Sequence, residues 1–95
     1  MLSQIEKYKI TIIEILKKHD VKRASLFGSI VRDEMTKGSD IDILIEFEGS
    51  KSLLDLVRLK LNLEEALRFN VDVVTYNSLH PLLKEQILAE EVEIL

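Results

Sequence analysis

Four residues in one short stretch have the types and spacing for phosphate and metal chemistry. In FGSIVRDEMTKGSDIDILIEF, Phe27 to Phe47, the pair Gly28-Ser29 is followed after ten residues by Asp40 and Asp42, which run into aliphatics. A buried ionised carboxylate is costly, and two close together repel each other. Two of them at the mouth of a buried strand call for compensation, most economically by a divalent cation. Gly28 lacks a β-carbon and lets backbone come close to a ligand. Ser29, at a helix start, offers free N–H groups to an anion. Asp40 and Asp42, two apart on a strand, point the same way and can share Mg²⁺, which is commonly held by one or two carboxylates and by substrate phosphates.

An Asp-x-Asp alone is weak, since a chain of this size shows one by accident roughly one time in four. Gly-Ser at one fixed upstream spacing brings coincidence to the order of one in a thousand. A third carboxylate, Asp72, has the apolar neighbours Val71, Val73 and Val74. If its strand pairs beside the second one, a three-carboxylate cluster results. Two ions held there could activate an attacking hydroxyl and stabilise a leaving pyrophosphate, in phosphoryl transfer done mainly by positioning and charge.

Taken alone, each residue has a plainer reading. Ser29 could be only an N-cap, Asp40 could cap the turn after Gly38, and Asp72 could be a solvated strand-end carboxylate. Arg32, one helical turn past Ser29, either reaches phosphates or pairs with nearby acids. His19 and His80 read as cap or surface residues. The shared frame of Gly28, Ser29, Asp40, Asp42 and Asp72 favours a metal–nucleotide site.

The elements that must position these residues follow from periodicity. Ile5, Tyr8, Ile12, Ile15 and Leu16 predict a helix from about Ser3 to His19. RASLFGS reads as a strand ending at Gly28, Ser29 to Met35 as a short helix, and TKGS as its closing turn. DIDILIEF is the second strand, with Ile41, Ile43, Ile45 and Phe47 on one face and Asp40, Asp42, Leu44 and Glu46 on the other. Ser52 to Phe69 is a leucine-rich helix with two stripes, Leu53, Val57, Leu61 and Leu56, Leu59, Leu63, Leu67. NVDVVTY is the third strand. NSLHPLLKEQILAE is a last helix, capped by Ser78 or His80 with Pro81 in its first turn, and EVEIL is an edge strand or a tail. The order α-β-α-β-α-β-α predicts an α/β (α+β) fold, a small mixed β-sheet flanked by helices.

Composition bounds the rest. Ninety-five residues, 46% hydrophobic and 32% charged with one Pro and three Gly, suit a single globular domain, residues 1–95. The generous apolar share leaves room for a partner surface or an oligomer. Cysteine is absent, which excludes disulfides and thiolate metal sites. No apolar run approaches the roughly 20 residues that span a bilayer, and MLSQIEKYK is charged too early for a signal peptide, so the default compartment is the cytoplasm. A net charge of −4 with scattered basic residues argues against direct nucleic-acid binding.

The pattern GS, ten residues, then DID resembles the signature of the DNA polymerase beta nucleotidyltransferase superfamily. Within it the chain is most similar to the minimal nucleotidyltransferases (MNT domains), the antitoxin half of HEPN/MNT toxin–antitoxin pairs. SLFGS, SDIDILIEFE, LLDLVRLKLNLEEAL, VDVVT and LHPLLKEQIL extend the resemblance over nearly the whole chain. It implies a polymerase-beta-like core in which Gly28 and Ser29 hold a triphosphate, with Arg32 and Ser39 as further nucleotide-binding positions. It also implies that Asp40, Asp42 and Asp72 are the catalytic carboxylates and bind Mg²⁺, as two ions. Family members are similar in transferring AMP from ATP, in some cases to a tyrosine of a partner HEPN ribonuclease. Val31 and Asp33 depart from the Ala and Gly that often flank the arginine, and Asp33 adds negative charge near the phosphates. A chain used up by its catalytic core also needs its acceptor from outside. Binding that silences the partner without catalysis, and transfer to a small molecule, are the alternatives.

Overall fold

The computed structural model describes residues 4–36 and 38–95. Its elements are α1 (Gln4–Lys18), β1 (Val21–Phe27), β2 (Ile41–Phe47), α2 (Leu53–Leu67), β3 (Val71–Thr75), α3 (Pro81–Glu90) and β4 (Val92–Glu93). The helix start expected at Ser3, and Lys37 of the TKGS turn, lie outside the described residues.

The strands form one mixed sheet in the order β3-β2-β1-β4. β1 is antiparallel to both β2 and β4, while β2 and β3 are parallel. The C-terminal end of β1 and the N-terminal ends of β2 and β3 therefore meet at one end of the sheet. EVEIL takes the edge-strand alternative, through Ser25↔Glu93 and Leu26↔Val92.

Alternation along β2 sorts its residues between two faces. Ile41, Ile43 and Ile45 are fully buried against Ile12 and Leu16 of α1 and Leu59 and Leu63 of α2. Full burial of each aliphatic side chain contributes about 1.5–3 kcal/mol. On the other face Leu44 and its β1 neighbour Ser25 are also fully buried, outside that core, and Ser25 Oγ is 2.8 Å from the Tyr76 hydroxyl.

Local signals explain the boundaries of α2 and α3. Ser52 caps α2 by accepting from the Asp55 N–H, and the Asp55 carboxylate accepts in return from the Ser52 N–H at 2.8 Å, a reciprocal cap that satisfies two helix-end donors. His80, not Ser78, caps α3: its Nδ1 accepts from the Leu82 N–H at 3.1 Å, and Pro81 follows. Tyr76–Ser78 forms a separate 3-10 turn. His19 instead meets the Asn62 amide at 2.9 Å.

The segment after Gly28 differs from the helix expected over Ser29 to Met35. It is a 3-10 turn, Gly28–Ile30, continued by hydrogen-bonded turns to Asp33. Asp33 has a φ of 54°, a left-handed conformation that stops helical propagation.

Candidate functional site

The site is built where β1 ends and β2 and β3 begin. Asp42 stands directly across from Asp72 on the parallel neighbour strand and from Phe27 on the antiparallel one. The pairing of the second and third strands thus sets two carboxylates side by side. Asp40, exposed, lies just before β2.

Gly28 closes this corner. Its φ is +76°, and a Cβ added there would overlap the Asp42 carboxylate, lying 3.2 Å from Asp42 Cγ. Any other residue would have to push that carboxylate aside. The local chain therefore needs glycine for both conformation and space, and the backbone runs against the acid.

Half-burial raises the Asp42 carboxyl from its ordinary 3.8 to about 6. The charges of Asp72 and Asp40 push the same way, Arg32 opposes them, and Glu90 adds a smaller push. Desolvation and like charge both disfavour the ionised form, which is the cost that a cation would offset. Among the described residues no group of three Asp, Glu or His side chains is drawn close enough to surround an ion. Like-charged carboxylates stand apart unless a cation draws them in. The donor set is all oxygen, the type that suits Mg²⁺.

The remaining expected residues are placed as follows. Ser29 is half-buried in the turn beside Gly28, and its carbonyl accepts from the Glu34 N–H at 2.9 Å. Ser39 Oγ accepts from the Thr36 N–H at 2.8 Å, so its hydroxyl holds the turn that delivers Asp40. Arg32 donates to Glu34 at 2.9 Å and to Glu90, the neighbouring-acid alternative. Hydrogen bonding to Glu34 leads the causes that hold its guanidinium above its ordinary pKa.

Sequence reasoning missed Glu90. It ends α3, 58 positions from Arg32, and no spacing in the sequence signals the meeting. It follows from β4 docking beside β1, which returns the end of α3 to this corner.

The exposed residues of α2 are also sorted. Leu59, Leu63 and Leu67 enter the core, while Leu53, Leu54, Val57 and Leu61 are 76%, 57%, 41% and 58% exposed. Among the described residues no helix is long and apolar enough to cross a membrane.

Comparison with known proteins places this geometry in a family. The family model described as polymerase beta, nucleotidyltransferase matches residues 10–95. A candidate protein adenylyltransferase of Methanocaldococcus jannaschii, MJ0435, is 63% identical over 91 residues, which cover 96% of this chain and 98% of that one. The protein adenylyltransferase MntA of Thermococcus cleftensis is 37% identical over 81 residues, covering 85% and 82% of the two chains. Among solved structures, a candidate minimal nucleotidyltransferase superposes with a TM-score of 0.80 at 38% identity, covering 93% of this chain and 90% of that one. A crystal structure of a toxin–antitoxin with AMP-PNP gives a TM-score of 0.81 at 25% identity, covering 92% and 72%. With 86 of its 95 residues inside that family model and an α/β sheet that matches the solved fold, the chain belongs to the polymerase beta nucleotidyltransferase family.

Proposed function

We propose that this chain transfers an adenylyl group from ATP to a hydroxyl of a partner protein, a HEPN-family toxin, and thereby acts as its antitoxin. The observation that carries this reading is the cross-strand pair Asp42–Asp72, with Gly28 backed against the Asp42 carboxylate. The relatives named protein adenylyltransferase and the toxin–antitoxin structure with AMP-PNP support the nucleotide and the kind of partner.

Asp40, Asp42 and Asp72 would hold Mg²⁺, which when bound offsets phosphate charge and polarises the phosphorus under attack. Gly28 lets the phosphates approach the backbone, and Ser29 supplies hydrogen bonds beside it. Arg32 exchanges its contacts with Glu34 and Glu90 for a phosphate oxygen. With a carboxyl pKa near 6, Asp42 is mostly ionised at neutral pH and ready for this role. In the reaction the acceptor oxygen bonds to the α-phosphorus, the bond to pyrophosphate breaks, and the hydroxyl proton passes to a carboxylate of the site. Ser39 acts by holding the Thr36–Ser39 turn.

A second reading, neutralisation by binding alone, is favoured by the exposed α2 stripe of Leu53, Leu54, Val57 and Leu61. Intact-mass spectrometry of a HEPN-family partner after incubation with this chain, ATP and Mg²⁺ separates the two. Added adenylyl masses that vanish with Asp40→Asn/Asp42→Asn support transfer. A stable complex and a silent toxin with no mass change support binding alone.

A further inference from the structure

We propose that Glu90 is a built-in competitor for phosphate: in the empty site its carboxylate holds Arg32, and a triphosphate must displace it to engage that guanidinium. This rests on the nucleotide-transfer reading above and deepens it, because loading of the site then depends on the end of α3. Placement of charge in α3 is the first argument. The C-terminal end of a helix favours cations and disfavours acids. Yet α3 closes on Glu90 and Glu91 and has no basic residue in its last turn. Glu91 adds a buried carboxylate oxygen, Oε2, without a hydrogen-bond partner among the described residues. A helix end with two acids needs a cation from elsewhere, and Arg32 reaches Glu90 from 58 positions away.

Burial separates Glu90 from Glu34, the other acid that accepts from Arg32. Glu34 is two residues along the same turn and 63% exposed, so water replaces the arginine readily. Glu90 is 25% exposed and belongs to another element. Its carboxylate loses more when Arg32 departs, which makes it the stronger rival for the guanidinium. The rest of α3 is lightly held: none of its residues is buried, and Leu82 and Leu83 are 84% and 53% exposed. The ion pair is thus a tie between this helix and the corner of the site.

Carboxylate and phosphate oxygens compete for the same guanidinium fork. Arg32 and Glu90 lie near enough to Asp42 for both charges to act on its carboxyl, which puts their contact beside the site carboxylates. A triphosphate brings further negative charge to this corner and gains Arg32 only by parting it from Glu90. Neutralising Glu90 while keeping its shape should therefore tighten phosphate binding, the reverse of what the loss of a binding residue does.

The test is titration calorimetry, with Mg²⁺, of ATP and of inorganic tripolyphosphate into the wild type, Glu90→Gln, Arg32→Gln and the double variant. Glu90→Gln removes an acid from the C-terminal end of α3, so the helix should persist, which a thermal melt checks. The expected result is that Glu90→Gln binds both ligands about three- to fivefold more tightly, the scale of a partly exposed ion pair. That gain should vanish in the Arg32→Gln background. Glu90→Asp, which keeps the charge on a shorter reach, should fall between wild type and Glu90→Gln. Unchanged or weaker binding to folded Glu90→Gln would make Glu90 a support of the site and overturn the proposal. A gain that persists without Arg32 would make Glu90 a general repulsive charge and overturn it equally. Wild type that binds neither ligand would overturn the nucleotide-transfer reading and this one with it, whereas a missing gain beside normal wild-type binding leaves that reading standing.

Discussion

The two faces of β2 divide the work of the molecule. Ile41, Ile43 and Ile45 point into the helix-covered core with no exposure, while Asp42, between Ile41 and Ile43, points to the other face and carries a carboxyl raised to about 6. A strand with a period of two lets stability and chemistry occupy alternate positions. Substitutions one residue apart should therefore have opposite consequences, and that contrast can be broken or sharpened by experiment.

The largest effect is expected from Asp40→Asn/Asp42→Asn, with adenylyl transfer reduced at least about a thousandfold and the fold intact by circular dichroism. Transfer within about tenfold of the wild type would remove the carboxylates from the chemistry. Next, Ile43→Ala leaves a cavity on the core face and should destabilise by about 2–4 kcal/mol in urea unfolding. Below the melting temperature its folded fraction should retain normal transfer.

Gly28→Ala tests the join between the faces. The left-handed φ and the overlap with Asp42 should together cost about 1–3 kcal/mol, with a loss of nucleotide binding seen by calorimetry. A smaller effect concerns pH. Without a metal the folded Asp42 carboxyl keeps its proton up to about 6, while the unfolded one releases it near 3.8. The folded state binds more protons in that window, so this group favours folding at the acid end and loses that contribution as pH rises from about 4 to about 6. Partial exposure screens the effect to the order of 1 kcal/mol. Asp42→Asn should therefore flatten this part of the pH–stability curve, and above pH 6 it should melt higher than the metal-free wild type. Smallest of all, Leu61→Glu on the exposed α2 stripe should shift stability by less than about 0.5 kcal/mol while weakening capture of the partner.

The β2 face assignment was legible in the sequence because aliphatics recur at every second position from Ile41 to Phe47, with Asp42 and Glu46 between them and Leu44 the one apolar residue on their face. Gly28 and the aspartates were legible as a spaced pattern. The place of Asp72 was legible only conditionally, since it required β3 to pair beside β2, a non-local choice that periodicity does not encode. The two leucine stripes of α2 could be separated but not oriented, because both are equally apolar and only the docking of α1 and the sheet decides that Leu59 and Leu63 go in while Leu53 and Leu61 stay out. Left-handed backbone at Asp33 and Arg68 carries no glycine signal, so the expected helix after Ser29 was too long, and the helix expected to run to Phe69 ends at Leu67. The contact between Arg32 and Glu90 depended on β4, a two-residue strand that the sequence left open between an edge strand and a tail and whose neighbour it did not specify.

The most direct test of the central claim is calorimetric titration of ATP with Mg²⁺ into the wild type and into Asp40→Asn/Asp42→Asn. The expected result is saturable, Mg²⁺-dependent binding to the wild type that is lost in the double variant while both proteins melt cooperatively. Equal binding to both, or binding indifferent to Mg²⁺, would contradict the claim that the polar face of β2 is a metal–nucleotide site.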